Sequence, residues 1–425
     1  MSNSTSFRKY ILCLKIIGKT AIKSFNKRIL LALLITLLLQ IADYFASNIS
    51  YPLLDSTDSL MWFDFLTKRG VNPSDTNVMY VNMGLDKTLA PIIDEFGDTI
   101  GNVAISDRKK LATFLDMIKD ARYKYVFLDI RFEKGIVTQD DSCLFSVIAG
   151  MKNLVYSTHR DMEDSTPEIL WKNRGFSDYR GNFKDGFTRY EYLQDGEPSA
   201  PLKIFTSIKG TELIEKNGLY FQDGDLAFNM KFIPFYKNDA EEFGDKGLVK
   251  YPYLGSQIFS QFNPEEIKKM AEGKLVVIGD FINDMHQTYM GEVPGPVIGV
   301  RAYQSIEQDG LKFSWLCFSI TSVIYFFILY NLLGKNDIND LICSALRIKK
   351  PIVKYIVSLL GWGFILSAVK IILYLWLHIS FIVLLPTLVF STISLINDIH
   401  TQRSYSLIVK IKHGPNTTIC EIERK

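Results

Sequence analysis

The stretch 275–296, LVVIGDFINDMHQTYMGEVPGP, holds the densest group of side chains able to do chemistry. An apolar run ends at Gly279, and Asp280, Asp284 and His286 follow within seven residues. Asp284 and His286 lie two apart, so both point the same way in an extended loop. Glycine after a buried strand permits a sharp turn at the carboxyl edge of a parallel sheet, where ligands bind in such folds. As metal ligands these side chains number two or three, without the H-x-x-x-H or H-E-x-x-H spacing of a zinc site. As an acid–base pair they lack a nucleophile, since no G-x-S-x-G is present and no cysteine sits near a candidate base. The residues thus point to no catalytic group, no metal and no cofactor. Two roles remain open: a ligand pocket, or a loop in which Asp284 and His286 hold backbone groups and each other.

Three further charged residues belong with them. Asp86 and Asp129 follow apolar runs and read first as turn-formers, although Asp129 can reach the same sheet edge as Asp284. Arg108 opens a helix, where a cation opposes the dipole. It calls for a partner carboxylate or an anionic ligand.

These residues need a scaffold, and the chain between 47 and 312 supplies alternating strand and helix patterns. VMYVNMG (78–84), YVFLDIRF (125–132), LVYSTH (154–159) and KLVVIGD (274–280) read as strands. Between the first two lies DRKKLATFLDMIKDARYK, with Leu111, Phe114, Leu115 and Ile118 at helical spacing and Asp107 near its start. DSCLFSVIAGMK (141–152) is a second helix. Strand–helix–strand order predicts a mixed α/β domain with a mainly parallel sheet and flanking helices. Residues 160–260, rich in Asp, Gly, Lys and Tyr, read as loops and short antiparallel strands inserted into that core.

Charge divides the chain. Residues 47–312 hold 40 Asp and Glu against 30 Lys and Arg, whereas the remainder holds 6 against 18. An acidic block bracketed by basic, apolar ends argues against nucleic-acid binding and for an exported domain with anchors whose inner flanks are basic. Residues 29–46 form an 18-residue apolar stretch, preceded by seven bases and no acid in 1–28. That predicts an uncleaved signal anchor with the N-terminus in the cytoplasm. Phe7, Tyr10, Ile11, Leu14, Ile17, Ala21, Ile22 and Phe25 share one side of a helical wheel opposite Lys15, Lys19, Lys23 and Lys27, a pattern suited to the inner leaflet or a partner. Residues 313–334 carry no charge, and the basic loop 335–351 follows. The apolar tract 355–397 is too long for one span and predicts two, 352–376 and 380–397, with Lys370 snorkelling at the outer end and Trp362, Trp376 and the run 325–330 facing lipid or lying at the interface. The expectation is four transmembrane α-helices with an extracytoplasmic domain at 47–312 and a cytoplasmic tail at 398–425, in which YSLIVKIK could form a strand. Cys143 is the one cysteine of 47–312, so no disulfide forms within that domain.

Three blocks carry a resemblance. YVNMGLDKTLA (80–90) ends a strand near Asp86; SDRKKLATFLDMIKDARYKYVFLDIRF (106–132) runs from a helix opened by Arg108 into a strand ending at Asp129; the 275–296 block leads into VIGVRAYQSI (297–306). Together they resemble the type-2 CHASE domain, an extracellular sensory domain of bacterial signalling proteins. Asp284, His286, Thr288, Gly291, Pro294 and Gly295 stand where that family's closing pattern has them. Tyr289 replaces a usual proline, and Arg301 stands where histidine is common. The resemblance implies a sensor in the bacterial inner membrane that takes a small-molecule or periplasmic protein ligand. The last outer helix, 297–310, would run almost directly into the second span. With only 28 residues after the last span, the expected output is a separate cytoplasmic effector. A homo-oligomer, a structural or scaffolding subunit and, last, an extracytoplasmic enzyme stay open beside it.

Overall fold

The computed structural model describes residues 26–48, 59–67, 73–160, 163–178, 188–241, 250–307, 310–334, 337–348, 350–377, 381–405, 407–413 and 418–424. The basic amphipathic pattern of residues 7–25 falls outside them. The chain divides into two units: an α/β unit of Ser47–Ser56 with Leu60–Phe313, and a helical unit built from the apolar segments on either side in sequence.

Five strands form the sheet of the α/β unit: β1 (Val78–Asn82), β2 (Tyr125–Asp129), β3 (Leu154–Thr158), β4 (Arg174–Phe176) and β5 (Leu275–Gly279). Their order is β1–β5–β2–β3–β4, and every pairing is parallel. Continuous apolar runs such as VVIG suit strands covered on both faces. The helices that cover them are α1 (Arg108–Ile118), α2 (Asp141–Gly150), α3 (Ala200–Lys209), α4 (Pro264–Ala271) and α5 (Gly295–Glu307). Alternate strand residues Met79, Val81, Val126, Leu128, Val276 and Ile278 join Leu111, Phe114, Leu115 and Ile118 of α1, Leu144 and Ile148 of α2, and Ile267 and Ala271 of α4 in one core. Burying each such aliphatic or aromatic side chain contributes about 1.5–3 kcal/mol. Asp107 caps α1 by accepting from the Lys110 amide at 3.0 Å, a bond worth about 1 kcal/mol.

The opposite face is covered by α3 and α5. Tyr125 Oη donates to Ser207 Oγ of α3 at 3.3 Å. A Cβ on Gly299 of α5 would lie 2.5 Å from the Phe127 ring, so this glycine sets how closely α5 approaches β2.

The expected loop region contributes more than loops. It supplies β4 and α3, besides the antiparallel strands Leu213–Lys216, Leu219–Gln222 and Asp225–Ala227. The signal for α3 was present: Ser199 caps it and Pro201 stands in its first turn. β4 is too short to carry a pattern. Its Gly175 admits α3, because a Cβ there would lie 2.6 Å from Ala200 Cα.

Both chain ends of the α/β unit are fastened to one segment. The Asn229 amide donates to Asn48 Oδ1 at 2.5 Å. The Phe228 amide donates to the Leu311 carbonyl at 2.8 Å, and the Phe313 amide to the Leu226 carbonyl at 2.7 Å. The described part of the last helix runs to Glu307, and the residues Leu311–Phe313 pair with Leu226–Phe228.

In the helical unit, three helices are long and apolar enough to cross a membrane: Asn26–Ser47, Trp315–Leu333 and Pro351–Trp376. The fourth expected span is not among them. The last helix, Leu384–Tyr405, starts only after the buried non-helical residues Phe381, Ile382 and Val383, and its described apolar part is Leu384–Ile399. Ala32, Leu39, Tyr325, Leu329, Leu332, Trp362, Leu366 and Phe390 form the core of this unit. Tyr325 and Trp362 are thus interior rather than lipid-facing, whereas Trp376 is exposed. Lys370 is buried as well, which overturns its expected place at the interface. It lies on the stripe 362, 366, 370, the inner face of its helix. Gln40 Nε2 donates to Thr321 Oγ1 at 2.8 Å across this core, and the Ile382 amide to Asp43 Oδ1 at 2.7 Å. The tail forms a hairpin of Leu407–His413 with Thr418–Arg424.

Candidate functional site

Sheet order decides which of the charged residues meet. β5, the last of this sheet's strands in sequence, lies between β1 and β2, with Gly279 beside Asn82 on one side and Asp129 on the other. The loop after β5 is thereby delivered to the carboxyl end of β2. Asp129, Arg131, His159, Ser177, Asp178, Asp284 and His286 line one cavity of about 190 Å³ at this edge. All seven side chains are polar.

Each wall has its own support. Asp284 Oδ1 lies 3.0 Å from His286 Nε2, and the Asp284 carbonyl accepts from the Gly295 amide at 2.7 Å. A Cβ on Gly295 would stand 2.3 Å from Asp284 Oδ2, so only glycine lets α5 begin against this carboxylate. Across the cavity His159 Nδ1 lies 2.8 Å from Asp178 Oδ1, while the Arg160 amide donates to Asp178 Oδ2 at 2.9 Å. Asp129 stands between these two carboxylate–imidazole pairs. Burial, and then the negative charge of Asp284, push its carboxyl up to about 7, against smaller opposing effects of Ser157, His286 and Arg131. The cavity has more carboxylates than cations, and the most central of them is poorly solvated.

The other sequence candidates go elsewhere. Asp280 closes the turn after β5, accepting from the amides of Ile282 and Asn283 and from Lys87 Nζ at 2.7 Å. Burial opposes its charge, but Lys87 and the Asn283 and Ile282 donors outweigh this and hold its pKa below the usual range. Asp86 is buried and pairs with Lys110 at 2.7 Å, while its second oxygen accepts from the Gly255 amide. It brackets the turn after β1 to α1 and to the helical turn Leu254–Ile258. Arg108 finds a partner carboxylate: Asp141 Oδ1 lies 3.5 Å from its Nε, its Nη2 donates to the Arg131 carbonyl, and its guanidinium lies over the Phe132 ring. Burial lowers its pKa to about 10, with Asp141 opposing. Arg301 sits in a sealed cluster. It donates to both oxygens of Asp75 at 2.6 and 2.9 Å and to Asp239, which is fully buried.

Of the seven candidates, then, Asp129, Asp284 and His286 meet in the cavity. Arg131, His159, Ser177 and Asp178 were missed. The signal for them was positional, because each lies within two residues of the carboxyl end of β2, β3 or β4. His159 closed a run already read as a strand. Tyr289 and Arg301, the two departures from the resembled pattern, do not line the cavity. Tyr289 is buried, and its hydroxyl accepts from the Phe235 amide at 2.8 Å. Among the described residues no group of three His, Cys, Asp or Glu is placed to hold a metal ion.

A family model described as the CHASE2 domain matches residues 31–332, more than half of the chain. No curated protein and no solved structure matches it.

Proposed function

The chain belongs to the CHASE2 domain family, a family of sensory domains, and from that premise we propose that it is a membrane-anchored sensor whose α/β unit lies outside the cell membrane and reads a small polar signal. The basic flanks of the apolar helices and the acidic excess of residues 47–312 support a topology with both termini in the cytoplasm. In this reading four helices cross the inner membrane, the last by a short apolar stretch, and a cytoplasmic effector protein receives the output. The observation that carries the proposal is the cavity at the carboxyl edge of the parallel sheet, where segments from residues 129, 159, 178 and 284 converge and every lining residue is of polar type. Its excess of carboxylates fits a ligand bearing an ammonium or guanidinium group.

Coupling has a physical route. α5 begins against Asp284 in the cavity wall, and the stretch after α5 is fastened to the segment that also holds Asn48. A ligand that draws Asp284 and Asp129 together favours one setting of α5, and only such a preference can shift an equilibrium.

The test uses the full chain in lipid nanodiscs, with putrescine and arginine as amine and guanidine probes and thermal unfolding as the readout. Either probe should raise the melting temperature of the wild type at millimolar concentration and leave Asp129→Asn unmoved. Equal shifts in both proteins, or none in either, would remove the cavity from the function.

A further inference from the structure

The two-stranded hairpin of Lys87–Ile93 and Thr99–Ser106 is not part of the main sheet. Its turn is well built: Asp94 Oδ1 accepts from the amides of Phe96 and Asp98 at 2.9 and 2.8 Å, and Gly97 takes the left-handed conformation the turn requires. The turn holds Phe96 outward, 82% exposed, and the strands present Leu89 and Ile100 at 73% and 67%. A cluster of exposed apolar side chains of this kind on one hairpin marks a contact surface.

The two edges of the hairpin differ. The strand Lys87–Ile93 is partly covered, since the Ile93 amide donates to the Gly135 carbonyl at 2.8 Å and Ile92 bridges to Ile136. The strand Thr99–Ser106 pairs on its other side with no strand among the described residues. Its sequence, TIGNVAIS, has neither charge nor proline over eight residues. Folded proteins guard such edges with lysine, proline, bulges or cover, because open N–H and C=O groups template further pairing. Here lysine, proline and, among the described residues, cover are missing; the one irregularity is a register break that skips Ile100 at the tip end, and Gly101–Ser106 runs on without interruption.

We propose that Thr99–Ser106 pairs antiparallel with the same strand of a second copy of this chain, joining two hairpins into a four-stranded sheet. Two-fold antiparallel pairing presents the same surface from both partners and closes on itself. An uncharged strand sets no like charges against each other at the axis. The flanks are complementary as well. The tip carries exposed Glu95 and Asp98, and the opposite end of the strand leads into exposed Lys109. Antiparallel pairing lays the acidic tip of each copy along the basic end of the other. The apolar faces around Leu89 and Ile100 then become continuous across the pair. This contact is independent of the ligand cavity, so either can fail without the other.

Disulfide trapping of the full chain in native membranes, in a Cys143→Ser background, tests the pairing. Asn102→Cys, at the middle of the strand, should give a covalent dimer with itself on mild oxidation. Asp98→Cys and Lys109→Cys should cross-link when two such chains are co-expressed, and Lys109→Cys alone should not. Ile100→Lys with Ala104→Lys places guarding charges on exposed positions and should weaken self-association on the order of tenfold by light scattering in detergent, a change of about 1.4 kcal/mol. Its circular dichroism and melting should match the wild type, which separates loss of contact from loss of fold. A wild type that stays monomeric and gives no Asn102→Cys dimer, a dimer untouched by the two lysines, or Asn102→Cys trapped only to a different protein would each overturn the proposal.

Discussion

Two groups of carboxylates in the α/β unit use the same side chains to opposite effect. Around Arg301, Asp75 and Asp239 are gripped by a guanidinium that is itself 1% exposed, and Lys250 adds a second cation 3.6 Å from Asp239. Around Asp129 the carboxylates of Asp178 and Asp284 are each tied to an imidazole, and open space of about 190 Å³ separates the walls. The first group is compensated and closed, and its charges fix α5 against the segments that carry Asp75 and Asp239. The second keeps unspent negative potential facing a cavity. Carboxylates alone do not mark a site; what matters is whether cations already answer them.

The widest way to break this contrast is to empty the sealed group. Arg301→Met leaves buried Asp239 and part-buried Asp75 without their main partner and should cost roughly 3–5 kcal/mol, read as the midpoint of chemical denaturation. A loss below about 1 kcal/mol would show that the cluster is not closed.

A smaller effect belongs to the open group and has a sign. The Asp129 carboxyl is raised from an ordinary 3.8 to about 7, so between these values the folded chain keeps a proton that the unfolded chain has lost. Its contribution to stability is complete below about pH 4 and disappears as the pH rises through 7. The change is on the order of 2–4 kcal/mol. Asp129→Asn should flatten the stability profile between pH 5 and 8 and raise stability at pH 8; an unchanged slope would mean that Asp129 is well solvated.

The smallest effect sharpens the comparison from outside it. Lys87→Met removes the partly exposed pair with Asp280 and should change stability by less than about 1 kcal/mol, with the ligand response intact. A loss as large as that of Arg301→Met would place Asp280 with the sealed group instead.

Much of the scaffold was legible. The runs at 78, 125, 154 and 275 are apolar without interruption, which suits strands covered on both faces, and Asp107 with Leu111, Phe114, Leu115 and Ile118 states where α1 begins and which face it buries. β4 escaped because three residues carry no period. The late start of the last helix escaped because hydropathy counts Phe381, Ile382 and Val383 whether or not they are helical.

The candidate site was legible in its residue types and not in its membership. Asp86, Arg108, Asp280 and Arg301 look no different in sequence from Asp129 and Asp284, yet each is answered locally by Lys110, Asp141, Lys87 or Asp75. By itself the amino-acid order determined the strands, the amphipathic helices, the apolar segments and the division of charge, because these depend on side chains within a turn or two of each other. Only the tertiary structure decided that β5 lies between β1 and β2, which sets Asp284 beside an aspartate 155 positions earlier in the chain. It likewise turned Lys370 into the helical core and Arg301 away from the cavity. Partners across such separations are chosen by strand order and helix phase, which are collective outcomes of packing and are written at no single position.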